Sequence, residues 1–162
     1  MLSPRPTSIP ELRRLTQAEV DAVCARHDRL WTSRPGGARA VFAWKDLTGL
    51  DLRGRNLSDA DFTGACLNEC QMQGVKLDNA NLFGCDMQNA NLTEASLRRA
   101  DLRGACLRGA NLTAADLFEA ADRAGEVRGR CTAHFVFGRP VFDEVGEDLV
   151  QALLNHGGID AR

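Results

Sequence analysis

Cysteine and histidine are the side chains here best suited to chemistry, and their spacing limits what they can do. Six cysteines stand at Cys24, Cys66, Cys70, Cys85, Cys106 and Cys131. None pairs with another at the CxxC spacing of a zinc ribbon or a redox site. The first residues hold no apolar signal segment and no run is long enough to cross a bilayer, so free thiols, a cytoplasmic setting and no membrane partner are expected. His27 falls on the apolar stripe of a helical pattern, where a satisfied core histidine is the ordinary reading. Short polar residues recur with stricter spacing: Asp51, Asn56, Asp61, Asn81, Asn91, Asp101 and Asn111. Side chains of this kind hydrogen-bond nearby backbone at turns, a duty repeated along the chain and unlike that of one catalytic pair.

The elements that carry these residues follow from a repeat. Every fifth position from 42 to 117 is large and apolar: Phe42, Leu47, Leu52, Leu57, Phe62, Leu67, Met72, Leu77, Leu82, Met87, Leu92, Leu97, Leu102, Leu107, Leu112 and Leu117. Two residues earlier stands a small one in most units, as at Ala60, Ala65, Ala80, Ala90, Ala100 and Ala110, with Cys70 and Cys85 in the same class. A period of five fits neither the 3.6 of a helix nor the 2 of a strand. In an extended segment the small and the large residue point the same way, while the last two positions of each unit are polar or Gly, as a corner requires. Each unit of the form A-(D/N)-L-x-x is one short side and one corner.

Residues 40–119 with this unit resemble the pentapeptide-repeat family. The resemblance implies an all-β solenoid, a right-handed quadrilateral β-helix with four units to a coil and about four coils, the sixteen large residues and their small companions facing inward. Residues twenty apart then stack. Lys45 and Arg55 break the inward pattern, and the first coil is expected to be irregular around them, because a buried unpaired cation is prohibitively costly. The leader from His27 to Trp31 and from Gly36 to Ala40 is similar to segments that precede the repeats in bacterial members.

Both flanks read as covers for the ends of the stack, which otherwise expose an apolar face and unpaired strand edges. Residues 1–39 form a leader and capping helix: Thr16-Gln17-Ala18-Glu19 is a capping box, and Val20, Val23, Cys24, His27, Leu30 and Trp31 share one stripe. Residues 40–129 form the β-helix, with a last degenerate unit around Val127. Residues 130–162 form a C-terminal segment with an apolar stretch at 135–137 and a helix from about 142 to 155, which either caps its own stack or joins two molecules as a homodimer.

Function is expected on the surface. A filled four-sided rod offers no concave pocket, so no enzyme, cofactor or metal site is expected. The stacked column Asp46, Cys66, Asp86, Cys106 holds two sulfurs two coils apart, about 9.6 Å at the strand spacing, too far for one zinc ion or a disulfide. Phe83, Arg98, Arg99, Arg103 and Phe118 are expected to converge on one corner, where they either pack beneath the C-terminal segment or form a candidate protein-binding patch. The partner is left unnamed, and direct nucleic-acid binding is not expected from a net charge of −2. The best-known activity of the family, DNA mimicry by quinolone-resistance members acting on gyrase, is the alternative. Residues 40–119 hold eleven acids and eight bases, whereas about 19 Å of B-DNA shows on the order of eleven negative charges.

Overall fold

The computed structural model describes residues 12–118 and residue 120, with the backbone of residues 134–136 and 139–141. The turn comes first in its logic. At every fifth residue from 44 to 114 the backbone is left-handed, with φ between 56° and 73°. The residue two places before it closes a β-turn by accepting from the residue after it, as Leu57 C=O accepts from Ala60 N–H at 3.1 Å and Leu97 C=O from Ala100 N–H at 3.1 Å. A left-handed third residue suits Gly, Asn or Asp in turns of this kind. Asn79, Asn89 and several glycines supply it, but so do Trp44, Glu69, Glu94 and Arg99.

Between corners the chain is extended for about three residues and pairs in parallel with the segment twenty residues on. The bridges run in four columns: 41-61-81-101, 46-66-86-106, 51-71-91-111 and 56-76-96-116. Leu57 N–H donates to Lys76 C=O at 2.7 Å while Lys76 N–H donates to Arg55 C=O at 2.9 Å, and the pattern repeats on every side. All sixteen of the large periodic residues are buried. Phe42 and Phe62 stack with ring centroids 5.0 Å apart. The small companions are buried beside them, and where Cys replaces Ala the thiol finds a carbonyl in the coil before it, Cys70 Sγ to Leu47 O at 2.9 Å and Cys85 Sγ to Phe62 O at 2.8 Å.

The Asp/Asn position has a uniform task. Its Oδ1 accepts from the backbone N–H two residues later, at the corner: Asp51 from Arg53 (2.9 Å), Asp61 from Thr63 (3.0 Å), Asn81 from Phe83 (3.1 Å), Asp116 from Phe118 (3.0 Å). Where Ser96 occupies the position, Asp78 of the coil before receives Arg98 N–H instead, at 3.2 Å.

The first coil is regular, contrary to expectation. Lys45 and Arg55 keep the same turn bonds as other units, and their neighbours Asp46 and Asn56 bridge in register. Both cations are half-buried, and Arg55 forms an ion pair with Asp21. No coil lies above them, so a long side chain can run up beside the covering helix, and there Arg55 meets the Asp21 carboxylate.

That helix, α1 (Gln17–Trp31), starts at the Thr16–Glu19 capping box and buries Val20, Cys24 and His27. Leu30 and Trp31, expected on the buried stripe, are about half exposed, and the buried residues of α1 are Val20, Cys24 and His27. The edge of the first coil is closed side by side. Strand β1 (Arg13–Arg14) pairs in parallel with β2 (Lys45–Asp46). On the next side the Gln17 carboxamide stands in for a peptide group, accepting from Asp51 N–H and donating to Asp51 C=O, both at 2.9 Å. His27 closes the remaining corner. Its Nδ1 accepts from Ala40 N–H (3.0 Å), so the neutral ring carries its proton on Nε2 and donates to Ser58 C=O (3.0 Å). The Trp31 indole nitrogen lies 3.1 Å from that same Nε2. A protonated nitrogen cannot accept, so this is a close approach and not a hydrogen bond.

Past residue 120, β3 (His134–Val136) and β4 (Arg139–Val141) form an antiparallel pair. The expected unit at Val127 and the helix at 142–155 lie outside the described residues.

Candidate interaction surface

The Phe42 side of the rod, with Phe42, Phe62, Leu82 and Leu102 inward, presents Val41, Asp61, Asn81 and Asp101 outward. Two corners border it. One carries Trp44, Thr63, Gly64, Phe83, Gly84, Arg103 and Gly104; the other carries Ser58, Asp59, Asp78, Asn79, Arg98, Arg99 and Phe118. The five residues expected to converge therefore divide between two successive corners. Arg103 lies beyond the Ala100-Asp101-Leu102 side, in the turn closed by Ala105 N–H on Leu102 C=O, while Arg98 and Arg99 lie in the turn before it.

Each corner has one arginine over a phenylalanine from the adjacent coil. The Arg98 guanidinium carbon sits 5.1 Å from the Phe118 ring centroid, and that of Arg103 sits 5.7 Å from the Phe83 centroid. Carboxylates orient both: Arg98 reaches Asp116 at 3.3 Å, and Arg103 grips Asp101 with two bonds at 2.6 and 2.8 Å. The Asp101 bond raises the Arg103 pKa above its already high value, so this cation persists at any ordinary pH. A flat guanidinium held over a ring is a rigid platform that loses little freedom on contact.

The structure adds residues that the sequence reading passed over. Trp44 is 64% exposed and Val41 55%, beside Phe83 at 48% and Phe118 at 38%. The Trp44 indole lies against Gly64, where an added Cβ would fall 2.4 Å from the ring. Both residues were visible as departures, a Val where Asp or Asn recurs and a Trp where Gly recurs. Cys66 and Cys106 are half-buried free thiols on a different side; Cys24, Cys70 and Cys85 are buried, with pKa pushed up by burial to about 11, about 12 and about 12.

The coil geometry agrees with a comparison of the sequence with family models, in which pentapeptide repeats match residues 40–79 and 76–113. The repeat segment belongs to the pentapeptide-repeat family. Solved pentapeptide-repeat structures resemble it. One from the cyanobacterium Cyanothece 51142 is 36% identical over 51% of this chain and 56% of that one, with a TM-score of 0.50. One from the Arabidopsis thaliana thylakoid lumen is 37% identical over 52% and 57%, with a TM-score of 0.47. HetL of Nostoc sp. strain PCC 7120, described as involved in heterocyst differentiation regulation, is 35% identical over 51% and 40%, with a TM-score of 0.49. This chain thus spans about half the length of these pentapeptide-repeat relatives. Comparison with curated proteins gives no match. Pentapeptide-repeat membership implies the right-handed quadrilateral β-helix for the coils described above.

Proposed function

We propose that this protein is a non-enzymatic interaction module that binds a protein partner through the Phe42 side of its β-helix and the two corners beside it. One observation carries the reading. Among the described residues, the exposed large apolar side chains are Leu30, Trp31, Val41, Trp44, Phe83 and Phe118. Four of them lie on this side or its corners, and the other two end α1 above it, where Trp31 approaches His27 at the Ser58 corner. The remaining sides present polar, charged and small residues outward, with Cys66 and Cys106 half-buried among them. Solvent-exposed aromatics gathered on one face, with arginines held among them, have the composition of interface hot spots. Arginines on both corners run against DNA mimicry, which calls for a continuous negative surface.

The test is the double variant Phe83→Ala with Arg103→Ala, assayed separately by affinity capture from the native host and by thermal melting. Lost capture with a melting temperature within a few degrees of the parent supports the surface. Unchanged capture with a lowered melting temperature would show that the two residues serve packing alone.

A further inference from the structure

The covering of the first coil leaves an exposed stretch of strand edge on the Phe42 side. In each coil the middle residue of a side turns both backbone groups toward the coil before: Asp61 N–H donates to Ala40 C=O at 3.0 Å, and Asp61 C=O accepts from Phe42 N–H at 2.7 Å. Thr63 C=O points the same way, accepting from Trp44 N–H at 2.9 Å. By the same repeat, Val41 N–H, Val41 C=O and Ala43 C=O face the end of the stack, and none of the three has a hydrogen-bond partner among the described residues. On the next two sides β1 and the Gln17 carboxamide take up these groups. The backbone of Asn56 on the fourth side also lacks a partner among the described residues, but Asn56 is half-buried and polar, and Arg55 beside it is tied to Asp21 of α1. Val41 is 55% exposed and Trp44, at the corner that follows, 64%. Unpaired edge groups beside exposed apolar side chains are a template for another strand.

We propose that this edge takes an extended segment of a partner protein as an added parallel strand. The ladder dictates the chemistry of that segment. One of its residues stands opposite Val41. The residue before offers its C=O to Val41 N–H, the residue after gives its N–H to Val41 C=O, and the residue two further on gives its N–H to Ala43 C=O. Proline is excluded from the last two places, since it has no N–H. An apolar side chain opposite Val41 covers the exposed valine. The chain's own residues before β1 do not meet these requirements in the register that β1 sets. Counting back from the Arg13–Lys45 pair, Ile9 falls opposite Val41 and the donor to Val41 C=O would have to be Pro10. The inference rests on the reading of this side as an interaction surface and supplies the form in which the partner binds.

The probe is a blocked peptide of alternating threonine and isoleucine with a lysine at each end, titrated by NMR against the labelled full chain. In the free protein the Val41 amide should exchange with solvent at once, while those of Asp61 and Asn81 in the same column stay protected. Added peptide should shift the Val41 and Ala43 amides and the Trp44 indole. Methylating the threonine amides removes the donors to the Val41 and Ala43 carbonyls and should weaken binding about tenfold or more. Methylating the isoleucine amides, which face the other way, should leave it unchanged. Val41→Pro should weaken binding to a similar degree and melt within a few degrees of the parent, because a strand edge tolerates a missing N–H that nothing uses. Should that variant fold poorly, the two methylated peptides decide by themselves. A Val41 amide as protected as that of Asp61 would show that the chain covers its own edge and would overturn the proposal. So would an absence of shifts at Val41 and Trp44, or binding indifferent to threonine methylation. The Phe83→Ala, Arg103→Ala double variant should bind the peptide as the parent does, so lost peptide binding sinks the edge and unchanged capture by that variant sinks the wider surface, each without the other.

Discussion

At the scale of single residues, the Asp/Asn position shows how a recurring polar residue can be read without invoking catalysis. Each corner leaves an N–H without a ladder partner, and a short side chain two residues earlier receives it. Asp51 does more: its carboxylate also holds Arg53 at 2.7 and 3.0 Å, and those bonds keep its pKa down at about 2. The unfolded value is near 3.9. A folded pKa below the unfolded one means that the contribution is complete above about pH 4 and is lost as pH falls toward 2. Asp46, lowered by its bond from the Thr48 hydroxyl, acts in the same direction. Asp51→Asn keeps an acceptor for Arg53 N–H but removes the charge, so the variant should lose less stability than the parent between pH 5 and pH 2.5. Because the pair is largely exposed, the difference is under about 1 kcal/mol. Urea midpoints at the two pH values measure it, and identical acid losses would count against this account.

At the scale of elements, the capping helix does more than cover an apolar end. Its capping box was plain in the sequence, and so was the burial of Val20, Cys24 and His27. The closure of the strand edge was not, because it depends on Gln17 and His27 meeting Asp51, Ala40 and Ser58, residues 13 to 34 positions away. Gln17 supplies one acceptor and one donor in the geometry of a peptide. Gln17→Ala should destabilise the protein by about 1 to 2 kcal/mol, since it removes two bonds to one backbone unit. Gln17→Glu, which keeps only the acceptor role, should fall between. Equal melting temperatures for all three proteins would mean that solvent serves the edge equally well.

The described residues form a filled stack whose parts hold one another in place, and the buried thiols report on it. Cys24 lies in the helix, Cys70 in the second coil and Cys85 in the third, all with pKa values raised by burial. A protonated, inaccessible thiol does not react. In the native protein at pH 8, iodoacetamide should therefore modify Cys66 and Cys106 well before these three. If helix and coils open as one unit, Cys24, Cys70 and Cys85 should become reactive together as denaturant is added, each followed by peptide mass spectrometry. Earlier labelling of Cys24 would show that the helix opens by itself, as the nearest-neighbour character of repeat proteins allows.

The five-residue period, met in one dimension, already determined the corner and the inward pair of each unit, because a narrow interior admits only a small residue beside a large one, while the stacking by twenties was implied by the family resemblance. It also showed Phe83, Phe118 and the arginines as outward. Only the tertiary structure decided that these residues occupy two corners, since the turn falls after each large residue and carries Arg103 past the side that separates it from Arg98. Lys45 and Arg55 show the same division: the pattern marked them as misfits, while the room beside α1 and the carboxylate of Asp21 made the first coil regular. Whether a departure from a repeat is a defect, a cap or a surface depends on what packs above it, and a sequence period carries no record of that.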